Sequence, residues 1–178
     1  DIKASMDGKL AYWGPILKDN APSQLVLPKV VTTNRFSIDG EQVLIEGLED
    51  AHPKHTFLWI PSAKTITGGV EVFDNTHVWM ADTQSVESRK AWLTHLEKME
   101  ALSPKEVIPG HYLGDAGFVK RAIAFTRDYI NAFEKAAKPA KNSADLIAKM
   151  LALYPQIPLD AGLEISAKVI MGEMRWPM

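Results

Sequence analysis

The fold of this chain is predicted by two stretches of sequence, AHPKHTFLWIPSAKTITGG at residues 51–69 and VIPGHYLG at residues 107–114. In each stretch a short apolar or β-branched run lies beside histidine and glycine, a pattern typical of a strand next to a turn. A turn signal at residues 61–64 separates the two runs of the first stretch. We therefore expect a hairpin over residues 56–67 and a later strand, residues 106–108, that ends at Pro109-Gly110-His111.

Further strands are expected before the first stretch. The dipeptide Asp39-Gly40 predicts a hairpin turn, because both residues tolerate positive φ. The β-branched or alternating runs that predict strands lie at residues 30–31, 35–38 and 42–48. Residues 1–28 instead predict a helix that ends near Gly14-Pro15, followed by a loop.

Helices are expected in the second half of the chain. Ser85 and Asp115 can cap two of them, Ser143 starts a third, and a last helix is expected over about residues 160–171. The helix after Ser85 carries Trp92 on its apolar face, and the helix after Asp115 carries an aromatic stripe from Phe118 to Phe133. The Lys/Ala/Pro stretch at residues 135–141 is typical of a linker.

Strands followed by helices predict an α/β fold, a layered α/β domain over residues 1–137 with a helical C-terminal extension over residues 138–178 packed on it. A hydrophobic share of 46% and a charged share of 24% are those of an ordinary globular protein. The formal net charge of −2 gives no electrostatic reason to expect nucleic acid or a membrane surface as a partner. No apolar run approaches the ~20 residues of a membrane span, so a soluble chain is expected, with cytoplasmic and periplasmic locations both open.

Histidines are the candidate functional residues. Cysteine is absent, so disulfides and thiol nucleophiles are excluded and a metal ion would need histidine and carboxylate ligands. His111 follows a strand and a Pro-Gly turn, which would project it from the rim of a sheet. His52 and His55 lie before a strand, and imidazoles on such loops suit zinc or iron. The alternative is that these histidines are polar loop residues or helix N-caps.

The order of these features resembles the C-terminal half of metallo-β-lactamase-fold metallo-hydrolases, over about residues 47–114. VIPGHYLG is similar to the family's late Pro-Gly-His motif, which implies that His111 is a metal ligand. The stretch at residues 51–69 is similar to the middle histidine loop and its hairpin, which implies that His52 is another. The segment NTHVWMADTQS, residues 75–85, is similar to that of a bacterial branch of these hydrolases.

The resemblance implies the C-terminal portion of an αββα sandwich with zinc as cofactor. It also implies a hydrolase that acts on a small-molecule ester, amide or lactone through a metal-bound hydroxide. It further implies that His77, Trp79 and Asp82 lie at the mouth of the site and contact substrate. The alternative is an ordered loop packed by Trp79. His95, on the flank of a helix, is expected to be structural.

Two departures from the family pattern affect the expected activity. The HxHxDH motif does not occur in residues 1–178, and Gly69 stands where the family has a bridging Asp. Asp74 or Asp82 are the carboxylates that could compensate. A catalytic zinc needs about three protein ligands. Because His52 and His111 supply two, the enzyme assignment belongs to the family, and these residues alone predict an incomplete site.

The first residues predict that the chain is truncated. Ile2, Met6, Leu10 and Trp13 follow helical spacing from the start, as if the chain begins within a helix. We therefore expect either association with a missing N-terminal half or a homo-oligomer. Two further hypotheses stay open: a metal-free binding or structural module that oligomerises through uncovered sheet and helix faces, and a non-catalytic remnant whose metal site a neighbouring subunit completes.

Overall fold

The computed structural model describes residues 2–50, 55–114 and 121–176. Helix α1, Ile2–Leu17, opens the chain and continues into a 3₁₀ turn, Lys18–Asn20. The expectation that this helix ends near Gly14-Pro15 was wrong, because Pro15 lies inside α1. A proline in the last turn removes one backbone donor, and the chain continues through it for two more residues.

Five strands form one mixed sheet, and two more form a small second sheet. In chain order the strands are β1 Arg35–Ile38, β2 Glu41–Glu46, β3 Phe57–Ile60, β4 Thr65–Thr67, β5 Phe73–Asp74, β6 Glu106–Ile108 and β7 His111–Tyr112. The large sheet has the order β1-β2-β3-β4-β6, antiparallel except for the parallel pair β4 and β6. Strands β5 and β7 pair in parallel.

The hairpin predictions were confirmed in detail. Strands β1 and β2 pair from Ile38↔Glu41 outward, and the turn residues Asp39 and Gly40 have φ of 50° and 86°. The strand expected at residues 30–31 was wrong. Val30 and Val31 are exposed and have no strand partner in the described residues, so β-branched character alone did not make a strand there.

Four further helices lie in the described residues: α2 Val86–Ala101 between β5 and β6, then α3 Arg121–Ala137, α4 Ser143–Leu153 and α5 Ala161–Ile170 after β7. Ser85 caps α2 as expected, accepting from the Ser88 backbone N–H at 3.0 Å. Helix α4 starts at Ser143 as expected, and Asn142 caps it. The cap expected at Asp115 and the first aromatic of its stripe, Phe118, lie outside the described residues. Residues 135–137, expected in a linker, belong to α3.

The helices and the large sheet enclose one main hydrophobic core. Trp92, Tyr129 and Phe133 are its largest fully buried side chains from α2 and α3. Leu146 of α4 and Leu163 of α5 belong to the same core. The predicted α/β class is therefore confirmed. Among the described residues, no helix combines the length and the apolar character needed to cross a membrane.

Candidate functional site

The turns after β4 and β6 lie side by side at one edge of the large sheet. These strands are parallel, and Thr67 at the end of β4 pairs with Ile108 at the end of β6. The Gly68 N–H donates to the Ile108 carbonyl at 3.0 Å. A Cβ atom on Gly110 would lie 1.9 Å from the Gly69 carbonyl oxygen, so only glycine fits this approach. The two turns are therefore packed backbone against backbone.

His111 lies directly after this glycine contact. It begins β7 and pairs with Phe73 of β5. Its imidazole stacks on the Phe73 ring with centroids 4.8 Å apart and an interplanar angle of 17°. The residue is exposed. The prediction that His111 projects from the sheet rim agrees with this placement, and its role as a metal ligand stays a prediction.

The other predicted ligand, His52, lies outside the described residues, in the connection between β2 and β3. His55, three residues on, is buried and lies just before β3. The start of β3 is next to the end of β4, because Leu58 pairs with Thr67. His55 Nδ1 forms an ion-pair contact with Glu71 Oε1. Its Nε2 lies 3.4 Å from Thr83 Oγ1. A histidine and a carboxylate thus meet at the sheet edge that also carries the turn before His111.

Glu71 is the centre of a buried polar network, and its side chain is 0% exposed. His95 Nδ1 lies 3.5 Å from Glu71 Oε2, and His95 Nε2 lies 2.7 Å from Asp50 Oδ2. The Lys98 ammonium contacts the other oxygen of Asp50.

Protonation in this network follows from its charges. Burial alone would lower the pKa of His95, but hydrogen bonds and charges from Glu71 and Asp50 outweigh burial and raise that pKa. The hydrogen bond from Lys98, with a further one from His95, lowers the pKa of Asp50 against the effect of burial. Glu71 and Asp50 therefore favour the charged form of His95, and Lys98 and His95 favour the ionised form of Asp50.

Sequence reasoning missed this network. His95 was expected to be structural, and its buried position in α2 agrees with that. Glu71 was not singled out. It lies two residues after Gly69, whereas Asp74 and Asp82 were the carboxylates expected to compensate for Gly69. Glu71 contacts His95 of α2, which is 24 residues away in the sequence, so no local pattern indicated this contact.

The three predicted substrate-contacting residues are not all in one place. His77 is 2% exposed, and its Nδ1 lies 2.8 Å from the Tyr129 hydroxyl. Burial lowers the pKa of His77 against the charge of Asp160 and the Ile157 carbonyl, which raise it. Burial also raises the pKa of the Tyr129 hydroxyl. The His77 side chain is thus enclosed by the helical layer.

Trp79 and Asp82 do come together. The Trp79 indole N–H donates to Asp82 Oδ2 at 2.9 Å, and the Trp176 indole N–H donates to Asp82 Oδ1 at 3.0 Å. Tyr12 and Trp13 of α1 pack edge-on against Trp176. The alternative of an ordered segment packed by Trp79 agrees with these contacts. The substrate-contact role of His77, Trp79 and Asp82 stays a prediction.

The described residues supply only part of a metal site. Asp74, one of the two possible substitute carboxylates, is buried and bonded to Arg121, whose Nη2 lies 2.8 Å away. The other, Asp82, accepts from two indoles. Within residues 2–50, 55–114 and 121–176, no group of three histidine or carboxylate side chains is arranged to hold a metal ion. Because a catalytic zinc needs about three protein ligands, these residues alone do not fit one.

Comparison with known proteins gave structural likenesses only. No family model matches the sequence, and no curated protein matches it. A metallo-β-lactamase from Pontibacter korlensis is similar over 66% of this chain, with 16% identity and a TM-score of 0.41. Metallo-β-lactamase IND-7 is similar over 68%, with 20% identity and a TM-score of 0.43. TMB-1, a protein described for substrate and inhibitor binding, is similar over 76%, with 23% identity and a TM-score of 0.36.

This chain spans only part of the proteins that it resembles, covering 54% of the Pontibacter protein, 55% of IND-7 and 62% of TMB-1. These matches are structural likenesses to metallo-β-lactamases, the family that the sequence pattern resembles. The comparisons do not address the absent HxHxDH motif. The described residues form a mixed α/β fold with one main sheet and five helices, similar to metallo-β-lactamases over about two thirds of this chain.

Proposed function

We propose that this chain is part of a metal-dependent hydrolase and supplies His111 to its metal site. The observation that carries the proposal is the packed pair of turns at the sheet edge. Gly110 and Gly69 pack backbone against backbone, and His111 is the next residue. A side chain on a closely packed backbone suits a metal ligand, because ligand geometry must be held closely.

Zinc is the cofactor that the family resemblance favours, and when bound it would supply a hydroxide at neutral pH. His52 is the second ligand of the proposal. The described residues do not complete the site, so further ligands would come from other parts of the protein or from a partner subunit. The substrate class of the proposal is a small molecule with an ester, amide or lactone carbonyl.

Zinc titration of the purified protein tests the proposal. We expect zinc to bind in a fixed ratio to the chain and to be lost in His111→Ala. Tyr112→Ala is the matched control, because Tyr112 is the next residue of β7, is 47% exposed and is not a usual zinc ligand. Binding that survives His111→Ala would overturn the role of His111. Absence of binding by the wild-type protein, titrated together with the parts or the partner subunit that complete the site, would overturn the metal-dependent function.

A second candidate function is a metal-free structural or binding module that pairs with a second copy of itself. The observation that favours it is a run of exposed apolar side chains beside the first strand: Val26, Val30, Phe36 and Ile38, with Val30 91% exposed. All four residues of β1 are exposed, and β1 is an edge strand of the sheet. Edge strands with apolar side chains favour pairing with another chain.

Sedimentation over a range of protein concentrations tests the second candidate. We expect a species larger than the 19.7 kDa chain, and Ile38→Lys should shift it toward monomer. Lys29→Ala, next to the same apolar run, should leave the assembly unchanged. A monomer at every concentration would refute this candidate.

A further inference from the structure

The network around Glu71 contains a fully buried carboxylate next to two imidazoles. An ionised carboxylate without water costs several kcal/mol unless it is paired and hydrogen-bonded. Glu71 contacts His55 through Oε1 and His95 through Oε2. Both oxygens therefore face ring nitrogens, and the side chain is placed to act on both histidines.

The charges of this network balance. His95 lies between two carboxylates, Glu71 and Asp50, and its two ring nitrogens face one oxygen of each. An imidazolium has two N–H donors; Nε2 is within hydrogen-bond distance of Asp50, and Nδ1 lies at ion-pair distance from Glu71. Lys98 supplies the second positive charge next to Asp50. Two carboxylates and two basic side chains thus lie together, so Glu71 has a potential counter-charge inside the core.

Glu71, as a carboxylate, would determine the tautomer of His55 through this contact. A carboxylate only accepts hydrogen bonds, so the neighbouring Nδ1 must carry the proton. Nε2 is then the basic nitrogen, and it faces the Thr83 hydroxyl at 3.4 Å. Thr83 is itself buried and its hydroxyl is not open to a substrate. The arrangement therefore orients the imidazole and does not form a nucleophilic triad.

The same network holds both ends of the connection between β2 and β3. Asp50 lies at one end and His55 at the other, and each contacts a histidine or carboxylate of the network. The chain also passes directly over the His95 ring. A Cβ atom on Gly47 would lie 2.4 Å from His95 Cε1, and Gly47 has a φ of 93°. Glycine is therefore required where the connection begins.

We propose that Glu71 is a positioning residue that, with His95 as its counter-charge, fixes the Nδ1-protonated tautomer of His55 and anchors both ends of the β2–β3 connection. The functional meaning rests on the proposed hydrolase, because that connection carries His52, one of the two predicted ligands. The structural claim concerns only Glu71, His95, Asp50 and His55, so it can be measured without a metal ion or a substrate.

Nitrogen-15 NMR of the histidine rings tests the tautomer. In the wild-type protein at pH 7.5 we expect the Nδ1-protonated form of His55 in at least roughly tenfold excess, the preference that about 1.4 kcal/mol confers. Glu71→Gln should reduce this excess several-fold, because a neutral amide can accept from or donate to the ring. A wild-type His55 that is mainly Nε2-protonated or doubly protonated would overturn the proposal, whether or not the variant folds.

Asp74→Asn is the matched control, because it also removes the charge of a buried carboxylate paired with a cation. It should leave the His55 tautomer unchanged. A His55 spectrum that changes equally in Glu71→Gln and Asp74→Asn would mean a general loosening of the fold and would overturn the specific role.

Amide exchange tests the anchoring. The Asp50 N–H donates to the Gly47 carbonyl at 3.3 Å. We expect its exchange to become at least several-fold faster in Glu71→Gln and to stay unchanged in Asp74→Asn. Unchanged exchange in both variants would refute the anchoring. Failure of the wild-type protein to bind zinc, together with the parts or the partner subunit that complete the site, would refute the proposed function and leave both measurements intact, so the two proposals fail separately.

Discussion

Asp82 joins the first helix, the segment after β5 and the C-terminal residues, and its removal should destabilise the protein measurably. Its two carboxylate oxygens accept from the indoles of Trp79 and Trp176, at 2.9 Å and 3.0 Å. Lys9 of α1 lies 3.5 Å from the same carboxylate. In Asp82→Ala both indole N–H groups lose their acceptor, and Trp176 is almost fully buried.

The magnitude follows from these contacts. A hydrogen bond to a charged acceptor contributes about 1.5–3 kcal/mol when buried. The Asp82 side chain is 42% exposed, so water competes and we assign roughly 1 kcal/mol to each bond. Asp82→Ala should therefore lower the free energy of unfolding by about 2 kcal/mol, or Tm by roughly 4–8 °C. Asp82→Asn keeps one carbonyl acceptor, so about half of that loss is expected.

Urea unfolding followed by tryptophan fluorescence and by circular dichroism measures this loss. Lys9→Ala is the control. Its ion pair is exposed on both sides and should contribute less than about 1 kcal/mol. An Asp82→Ala protein within roughly 0.5 kcal/mol of wild type would refute the reasoning, since that is the range of an ordinary surface substitution. If such a stable variant also lost substrate binding, the contact role predicted from the sequence would be favoured instead.

Two further predictions concern pH and packing. The pKa of His95 is raised in the folded state, so the stability that charged His95 contributes is fully present below pH 6.5 and is lost as pH rises through the folded pKa. The difference in unfolding free energy between wild type and His95→Gln should therefore shrink above pH 6.5. A difference that stays constant from pH 6 to 9 would contradict a charged His95. Phe133→Ala should lower the free energy of unfolding by about 3–5 kcal/mol, because this core side chain is fully buried. Ile16→Ala, at an exposed position of α1, should lower it by less than about 1 kcal/mol in the same denaturation experiment. Equal losses in the two variants would contradict the assigned core.

Much of the fold was predictable because its signals are local. The hairpin at Asp39-Gly40 depends on two residues with positive φ, and the start of α2 depends on a serine three residues before the backbone N–H that it accepts. The strand expected at residues 30–31 failed because a strand needs a partner. Propensity cannot supply one, and Val30 has none among the described residues.

The candidate site was predictable only in part. The Pro-Gly turn before His111 indicated a histidine at a sheet rim, because the signal lies within three residues. His77, Trp79 and Asp82 are close along the chain, but their spacing does not indicate how their side chains are oriented. The His77 ring contacts the Tyr129 hydroxyl on α3, while Asp82 accepts a hydrogen bond from the Trp176 indole near the C-terminus. Those partners are 52 and 94 residues away, beyond the reach of any local pattern.

Turns, caps and periodicity act over a few residues, so the α/β class, most hairpins and helix starts, and the position of His111 after a strand could be predicted from local patterns. The approach of Gly110 to Gly69 and the position of Glu71 between His55 and His95 could not. Both depend on the parallel pairing of β4 with β6 and on the packing of α2 against the core. The energetic cost and the role of a buried carboxylate depend on the charges that the fold places around it.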